Sequence, residues 1–174
     1  MEESEFKQHI KNTFNMVAEG YECDAMVFFK KSADLLPKHF ALNGSEHVLD
    51  VASGTGIAAY SIAKHLPSGK VTAIDFSEGM LNQAKNKFKK HHQLNIELQQ
   101  MDMGELAFSD NTFDAANCSF GIFFVEDMQA QLSHIIQKVK PGGKVICCAF
   151  YDTAFLPSVD LFLDYIHKEI VEST

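Results

Sequence analysis

The sequence predicts an α/β fold in which one doubly wound, mostly parallel sheet carries helices on both faces. Two observations support this class. From residue 47 onward, apolar runs of strand length alternate with segments of helical periodicity across short connections, a pattern typical of βαβ units. The chain has 174 residues, 46% of them hydrophobic, which is enough for one domain with its own core.

Two helices are predicted ahead of the alternating region. Apolar residues beginning with Phe6 and Ile10 recur at helical spacing and predict an amphipathic helix over residues 3–18. A second helical pattern covers residues 25–41 and contains Pro37. Because proline removes a backbone donor and clashes with the preceding turn, we expect this helix to break there.

The sheet domain is predicted to occupy residues 43–174, behind an N-terminal helical segment at residues 1–42. Its strands are expected at residues 47–51, 70–74, 95–100, 113–119 and 144–150. Helical patterns separate them at residues 57–66, 78–91 and 127–140. The Pro-Gly-Gly sequence at 141–143 is expected to end the last of these helices, and one more helix is predicted after Pro157.

Charge and composition argue against several classes of partner. Fifteen Lys and no Arg stand against 23 acidic residues, and the net charge of −8 opposes binding to nucleic acid or anionic lipid. No apolar stretch approaches the roughly 18 residues that a membrane-spanning helix requires, and the acidic start is unlike a secretory signal. The cysteines, Cys23, Cys118, Cys147 and Cys148, fit no metal-ligand spacing. We therefore expect a cytoplasmic protein without a metal site.

The residues most informative about function form a turn between the first strand and the helix that follows it. Residues 48–56 read VLDVASGTG, so an apolar strand runs into a series of small residues. Small residues let the backbone approach a ligand closely, and a helix N-terminus offers free N–H groups to it. In doubly wound sheets, ligands bind beyond the carboxyl ends of the strands, where the strand order reverses. We therefore expect a ligand at this turn.

Two kinds of ligand are compatible with the turn. Gly54-x-Gly56-x-x-Ala59 matches the dinucleotide pattern, and Asp75 is placed to bind a ribose, which would indicate an NAD-dependent oxidoreductase. The alternative is a nucleoside without a pyrophosphate. It is favoured by Asp50, because a carboxylate just before the turn repels pyrophosphate but attracts the ammonium or sulfonium of S-adenosylmethionine.

A second acid supports the nucleoside. Asp102 follows the third strand within Met101-Asp102-Met103. Its carboxylate can accept a hydrogen bond from an adenine amino group, while the flanking methionines offer apolar surface to the ring. Considered alone, Asp75 is also compatible with a role as a helix cap, and Asp102 with that of an ordinary acidic residue in a loop.

At these residues the sequence resembles class I S-adenosylmethionine-dependent methyltransferases, over about residues 10–151. The resemblance rests on VLDVASGTG (48–56), AIDFSEGML (73–81), MDMGELAFSDNTFDAANCSFGI (101–122) and VKPGGKVI (139–146). The branch of ubiquinone/menaquinone-biosynthesis C-methyltransferases is similar in Phe14-x-x-Val17-Ala18-x-x-Tyr21 and in Ser119-Phe120-Gly121. The resemblance implies a Rossmann-like fold of seven strands, the last two antiparallel. Five strands are predicted here, so we expect the domain to be incomplete at its C-terminal end.

The resemblance also implies a site for S-adenosylmethionine. Asp50 and the turn would surround its methionine end, and Asp75 would take both ribose hydroxyls. Side chains after the second and third strands would hold the adenine. The end of the fourth strand would line the methyl-transfer face. Tyr21 would cap the cofactor from an N-terminal segment that covers the site. In chain order the implied residues are Tyr21, Asp50, Ala52, Ser53, Gly54, Gly56, Asp75, Phe76, Met80, Asp102, Met103, Cys118 and Ser119.

The sequence departs from the family in two places. Ala52 stands where the family has the first glycine of G-x-G-x-G, a mild change because alanine is small. Phe123 and Phe124 stand where the quinone branch carries an Arg-Asn pair, so a quinone is not assigned as the acceptor. With 15 phenylalanines in the chain, we expect a small apolar or aromatic acceptor. The run from Phe120 to Phe124 is compatible with either core or pocket wall.

The implied reaction is transfer of a methyl group by in-line displacement, which requires alignment of the reactants and exclusion of water. If the acceptor is carbon or oxygen, a base must take a proton. Tyr21, His134 and Tyr151 are the available residue types, and the sequence assigns the role to none of them. A non-catalytic nucleoside-binding module remains the alternative.

Two expectations concern surfaces. Residues 144–150 form an apolar strand at the edge of the predicted sheet, so we expect a possible homo-oligomer through this edge. Four lysines, Lys85, Lys87, Lys89 and Lys90, are expected to form a solvated helix end, where cations offset the negative end of the helix dipole.

Overall fold

Five parallel strands form one sheet in the order β3-β2-β1-β4-β5. The computed structural model describes residues 3–93 and 95–151. Its strands are β1 (His47–Val51), β2 (Lys70–Asp75), β3 (Ile96–Gln100), β4 (Phe113–Ser119) and β5 (Val139–Cys148). The strand order reverses between β1 and β4, so the predicted doubly wound parallel sheet is confirmed.

Five α-helices accompany the sheet, and the predicted alternation of strands and helices is confirmed. They are α1 (Glu3–Val17), α2 (Val27–Phe40), α3 (Ile57–Ala63), α4 (Glu78–Lys90) and α5 (Met128–Lys138). Single 3₁₀ turns lie at Ala18–Gly20, Asp24–Met26, Met103–Glu105 and Ile122–Phe124. The helices of the alternating region end earlier than the sequence predicts, and α5 does so because β5 begins at Val139.

The core lies in two layers because alternate residues of a strand face opposite sides of the sheet. On β1, Val48 packs with residues of α2, α3 and α4. Its neighbour Leu49 packs on the other face, in a cluster that includes Ile135 of α5. Both side chains are completely buried. The sheet is thereby covered on both faces, as its parallel topology requires.

The break expected at Pro37 is wrong. Helix α2 continues through Pro37 and ends at Ala41, which has a left-handed backbone (φ 55°) and donates its N–H to the carbonyls of Pro37 and Lys38. Pro37 is buried together with Leu36 and Phe40, which pack into the core. Burial of this apolar face offsets the loss of one backbone hydrogen bond.

The role predicted for Pro-Gly-Gly is also wrong. Helix α5 ends at Lys138, and β5 begins at Val139, which pairs with Phe113. The three residues lie in a bulge, after which Lys144 pairs with Ala115. Gly143 suits this position because a Cβ there would lie 2.4 Å from the carbonyl oxygen of Asp114. The motif therefore shapes the edge strand instead of ending the helix.

Strand β5 lies at one edge of the sheet within the part of the chain that the structure describes. Association of two copies through this strand stays a prediction, which sedimentation measurements can test. The helix predicted after Pro157 falls outside the described residues. Among the helices of residues 3–93 and 95–151, none is long and apolar enough to cross a membrane.

Candidate functional site

A cavity opens at the carboxyl ends of the central strands, where the strand order reverses. Eleven of the thirteen residues implied by the resemblance line it. They are Tyr21, Asp50, Ala52, Ser53, Gly54, Asp75, Phe76, Met80, Asp102, Met103 and Ser119. The two that do not line it are Gly56 and Cys118, and each lies behind the wall for a packing reason.

The turn after β1 is wound tightly by left-handed backbone at three alternate positions. Ala52, Gly54 and Gly56 have φ values of 53°, 56° and 77°. A Cβ on Gly56 would lie 2.4 Å from Cζ of Phe88, so this glycine lets α4 pack directly behind the turn. Gly56 therefore supports the cavity wall from behind, and its role at a ligand stays a prediction.

Cys118 is likewise covered. It is fully buried at the end of β4, beneath Gly121. A hydrogen bond with Cys147, which pairs with it in register, and burial both raise the pKa of the Cys118 thiol. The thiol is therefore a neutral packing group. Ser119, the next residue, faces the cavity and donates from Oγ to Oδ1 of Asn117 at 2.9 Å.

Ala52 and Gly121 form a complementary pair across the cavity floor. A Cβ on Gly121 would lie 2.6 Å from Cβ of Ala52 and 3.5 Å from Sγ of Cys118. The methyl group of Ala52, present where the family has glycine, thus occupies the space that a side chain at Gly121 would need.

We expect Gly121→Ala to destabilise the fold by about 1–3 kcal/mol through this overlap. The backbone of Gly121 (φ −114°, ψ −31°) is permitted for alanine, so the effect is steric. Adding Ala52→Gly removes the overlapping methyl group and is expected to restore most of the loss. Thermal unfolding of both variants measures this. A Gly121→Ala protein as stable as the wild type, or a double variant no better than the single one, would contradict the packing described.

Asp50 is the last residue but one of β1, and its buried carboxylate lines the cavity. Its Oδ1 accepts a hydrogen bond from Nδ2 of Asn117 at 2.6 Å. Burial is the main cause that raises the pKa of Asp50 to about 7, and the nearby Asp75 acts in the same direction. The Asn117 amide and the Ala59 N–H oppose it. The carboxylate is therefore poised to ionise when a cation enters the cavity.

Asp75 ends β2, beside Asp50. Its Oδ2 accepts from the Gly54 N–H and its Oδ1 from the Ser77 N–H, both at 2.8 Å. Burial raises the pKa of Asp75, and these backbone N–H groups oppose the shift. Since each carboxylate oxygen has two lone pairs, both oxygens can accept one more hydrogen bond from a ligand. Ser77 is the N-cap of α4, so Asp75 both supports the helix cap and faces the cavity.

Three buried polar atoms of residues that line the cavity have no hydrogen-bond partner of ordinary geometry among the described residues. They are Oδ2 of Asp50, Oγ of Ser53 and Oγ1 of Thr55. Burying a polar atom without a partner costs roughly 1–3 kcal/mol. The arrangement therefore suits a polar, positively charged ligand group that satisfies these atoms.

The opposite wall of this part of the cavity is apolar. Phe76 and Met80 follow β2, and Met101 and Met103 flank Asp102 after β3. Asp102 accepts from the Gly104 N–H at 2.8 Å and has Lys7 of α1 3.5 Å from its other oxygen. The result is a flat apolar slot with a carboxylate at its rim.

The N-terminal helices close the cavity from above. Oδ1 of Asn15 accepts from Oγ of Ser77 at 2.7 Å and from the Gly79 N–H at 2.9 Å, which joins α1 to the first turn of α4. Tyr21 lines the cavity and stacks on Phe29, with ring centroids 5.7 Å apart. Burial, and then the charge of Asp75, raise the pKa of the Tyr21 hydroxyl, so it is a hydrogen-bond donor at neutral pH.

Aromatic rings form the remaining end of the cavity. Those that line it are Phe14, Tyr21, Phe29, Phe120 and Phe124. Phe120 packs edge-on against Phe29 at 4.8 Å and has a left-handed backbone (φ 58°), which is rare for a bulky residue. Its N–H donates to the carbonyl of Cys148 at 2.8 Å. The run from Phe120 to Phe124 is thus partly pocket wall, one of the two alternatives left open by the sequence.

Comparison with known sequences decides the family. Residues 2–170 match the profile of the ubiE/COQ5 methyltransferase family. The chain belongs to this family. Demethylmenaquinone methyltransferase of Lactococcus lactis is 32% identical over 81% of this chain. The ubiquinone/menaquinone biosynthesis C-methyltransferase UbiE of Bdellovibrio bacteriovorus is 35% identical, also over 81%. The chain spans 58% and 61% of the lengths of these two ubiE/COQ5 relatives.

Solved structures agree on the fold. A putative S-adenosylmethionine-dependent methyltransferase from Methanococcus maripaludis superimposes with a TM-score of 0.69, at 21% identity. The match covers 91% of this chain and 72% of that protein. The Rossmann-like methyltransferase fold expected from the resemblance is therefore confirmed.

The three candidate bases of this ubiE/COQ5 chain lie in different parts of the structure, and one of them lines the cavity. Tyr21 lines the cavity, as described above. His134 lies on α5, which packs on the other face of the sheet from α3 and α4. Tyr151, at the end of the described chain, is 76% exposed. Among residues 3–93 and 95–151 there is no group of three His, Cys, Asp or Glu side chains placed to hold a metal ion.

Several site residues of this family member carry no recognisable pattern in its sequence. Lys7 and Asn15 lie on α1 among other polar residues, and Asn117 is a completely buried polar residue inside β4. Gln131 is buried on α5 and donates to the carbonyl of Met103 at 2.7 Å, which fixes the rim of the apolar slot. Of these residues, Asn117 gives the one signal in the sequence, because a buried amide inside a strand requires a hydrogen-bond partner nearby.

Proposed function

We propose that this chain binds S-adenosylmethionine in the cavity and transfers its methyl group to a small apolar or aromatic acceptor. The observation that carries the proposal is the division of one cavity into a polar end and an aromatic end. Three unpartnered polar atoms, belonging to Asp50, Ser53 and Thr55, stand at the first. Aromatic rings, Phe120 among them, stand at the second. Membership of the ubiE/COQ5 family supports the same reaction.

The polar end fits the methionine part of the cofactor. An ammonium group there would donate to Oδ2 of Asp50, and the hydroxyls of Ser53 and Thr55 would donate to the carboxylate. These contacts satisfy atoms that are otherwise buried without partners. Asp75 would accept from the ribose hydroxyls with its remaining lone pairs. The adenine would lie in the slot between Phe76 and Met103, with Asp102 at its amino edge.

Asp50 also argues against the dinucleotide alternative. Its carboxylate lies at the turn where a pyrophosphate would bind, and Asp75 lies beside it. Two anions in a buried site repel a third. The described residues that line the cavity include one lysine, Lys7, which is paired with Asp102 at the rim and so lies away from the turn.

The chain's own residues supply alignment and a dry environment. The bound cofactor supplies an electrophilic sulfonium methyl group. The turn, Asp50 and Asp75 orient the cofactor, and the aromatic end orients the acceptor against it. Phe14 and Tyr21 of the N-terminal segment cover the cavity and exclude water, and we include in the proposal that residues 1–42 act as this cover. The Tyr21 hydroxyl, which keeps its proton at neutral pH, would donate a hydrogen bond to a bound ligand.

The proposal is tested by calorimetric titration of the chain with S-adenosylhomocysteine, with NAD as the parallel control. We expect binding in the micromolar range, about −8 kcal/mol, for S-adenosylhomocysteine alone. Binding of NAD alone, or of neither ligand, contradicts the proposal. Cofactor binding without methyl transfer to any of a panel of small aromatic acceptors would favour the non-catalytic nucleoside-binding module.

A cytoplasmic location is part of the same proposal. The cysteines Cys23, Cys118, Cys147 and Cys148 are all free thiols, which is the state that a reducing compartment maintains. Quantifying thiols in cell extracts that are denatured in the presence of an alkylating agent tests this, because unfolding also exposes the buried Cys118. Four alkylated cysteines are expected, and isolation of a disulfide-linked form contradicts the location.

A further inference from the structure

Lys87 does not belong to the solvated helix end that the sequence predicts. Lys85, Lys89 and Lys90 are exposed, but the side chain of Lys87 is only 18% exposed. Its ammonium donates to the carbonyl of Thr55 at 3.0 Å and forms an ion pair with Glu22. The expectation is therefore wrong for this one lysine, which turns from the surface of α4 toward the turn after β1.

The first of these contacts fixes the turn from behind. Thr55 lines the cavity, and its Oγ1 is one of the unpartnered polar atoms there. Lys87 holds the Thr55 carbonyl on the side of α4, where Ala84 and Phe88 pack against Gly56. Without that donor the carbonyl of Thr55 loses its charged partner, and the peptide is held only by the bond from the Gly56 N–H to the Ser53 carbonyl at 2.9 Å.

The second contact fixes the N-terminal segment. Glu22 directly follows Tyr21, which lines the cavity. Asn15 joins the same segment to the other end of α4 through Ser77 and Gly79. The stretch from Asn15 to Glu22 is thus bonded to α4 at both of its ends. The ammonium of Lys87 contacts both this N-terminal cover, at Glu22, and the turn after β1, at Thr55.

Burial and charge show that this contact is built into the fold. Burial lowers the pKa of Lys87, and the hydrogen bond and charge of Glu22 oppose the shift. The ammonium of Lys87 is the more buried member of the pair, since the side chain of Glu22 is 40% exposed, and it therefore depends on its two acceptors. Lys87 itself does not line the cavity, so it acts through Thr55 and Glu22.

We propose that Lys87 is a positioning residue that holds the cofactor turn at Thr55 and, through Glu22, the N-terminal cover in one arrangement around the ligand. The inference rests on the proposed function, since the ligand it positions is S-adenosylmethionine. Lys87 acts on the turn that would surround the methionine end of this ligand. The adenosine part of the ligand, held by Asp75 and the apolar slot, is independent of it.

The test compares Lys87→Met with the wild type in titrations with S-adenosylhomocysteine and with adenosine, which lacks the amino-acid part. We expect Lys87→Met to weaken S-adenosylhomocysteine binding about tenfold while adenosine binding changes less than about twofold. Glu22→Gln keeps the bond to Thr55, and we expect it to weaken S-adenosylhomocysteine binding less than Lys87→Met does. Lys87→Arg keeps a charged donor and is expected to rescue most of the loss.

Lys85→Met is the matched control, because it removes the same charge from an exposed position of the same helix. It should bind both ligands as the wild type does. Unchanged S-adenosylhomocysteine binding in Lys87→Met overturns the inference, and so does an equal loss for both ligands, which indicates a general folding defect. A wild type that binds neither ligand overturns the proposed function instead, so the two failures are distinguishable.

Discussion

Replacing Asp75 with alanine is expected to weaken S-adenosylhomocysteine binding by about 10- to 150-fold, the loss of roughly 1.5–3 kcal/mol for hydrogen bonds to a charged acceptor. Both oxygens of Asp75 are held in the cavity by backbone N–H groups at 2.8 Å, so the carboxylate is fixed where ribose hydroxyls would meet it. Titration calorimetry of the variant measures the effect. We expect it to extend to adenosine, because the ribose is common to both ligands.

The control for this variant has to separate binding from folding. Asp75→Ala also leaves the N–H groups of Gly54 and Ser77 without their acceptor, so thermal stability will fall. Ser77→Ala removes the cap of α4, where Ser77 accepts from the Met80 N–H, yet Ser77 does not line the cavity. Because Ser77→Ala also releases Asn15 of the N-terminal cover, we expect it to lose stability but to lose much less affinity than Asp75→Ala. Undiminished affinity in Asp75→Ala would falsify the ribose assignment.

The affinity for S-adenosylhomocysteine is expected to fall about tenfold for each pH unit below about 7, because the carboxyl group of Asp50 must ionise to pair with the ligand's ammonium. The pKa of Asp50 is raised to about 7, chiefly by burial. Below that pH the free protein holds a proton that binding must release. Above it the carboxylate is already charged, and the affinity is expected to level off.

The free energy of unfolding of the ligand-free protein is expected to fall as the pH rises, whereas the affinity for the ligand rises. A carboxyl group whose pKa is raised in the folded state contributes stability that is fully present below its unfolded pKa of about 4 and lost as the pH rises through about 7. The loss is about 4 kcal/mol across this interval, since one pKa unit corresponds to about 1.4 kcal/mol. The ligand-free protein is therefore expected to be less stable at pH 8 than the same fold with a neutral group at this position.

Asp50→Asn provides the matched variant for both effects. Its amide oxygen can still accept from Nδ2 of Asn117, so the local geometry is conserved. We expect Asp50→Asn to unfold at a higher temperature than the wild type at pH 8, and to bind S-adenosylhomocysteine more weakly and without the dependence on pH. A variant that still shows tenfold weakening per pH unit would place the titrating group elsewhere, with Asp75 the nearest alternative.

Much of the fold follows from local patterns in the sequence. The runs at 47–51 and 113–119 predict β1 and β4 to the residue, because each places consecutive apolar residues at its centre, as a strand covered on both faces requires. The exceptions concern residues whose local preference is overruled by packing. Pro37 stays inside a helix because its face is buried, and Pro-Gly-Gly enters a strand because β4 offers pairing partners on both sides of the bulge.

The residues of the candidate site likewise include some that the sequence predicts and others that it does not. Asp50 and Asp75 could be predicted because each stands at the end of an apolar strand, and the topology brings such ends together. Gly56 and Cys118 were expected at the ligand because they belong to the same motifs, but they face Phe88 and Gly121 instead. A motif specifies backbone conformation, and it does not specify which side of the turn each residue presents.

The sequence alone determined the order of strands and helices, the parallel sheet and the ligand turn, because these depend on periodicity and on residue types at adjacent positions. Only the tertiary structure decided which distant side chains complete the site. Asn15 and Ser77 are 62 residues apart in the chain, and Glu22 and Lys87 are 65 apart. Lys87 is indistinguishable from its neighbours Lys85 and Lys89 by sequence. Contact with Thr55 and Glu22 depends on how α4 packs behind the turn, which is set by the whole core and not by the residues beside Lys87.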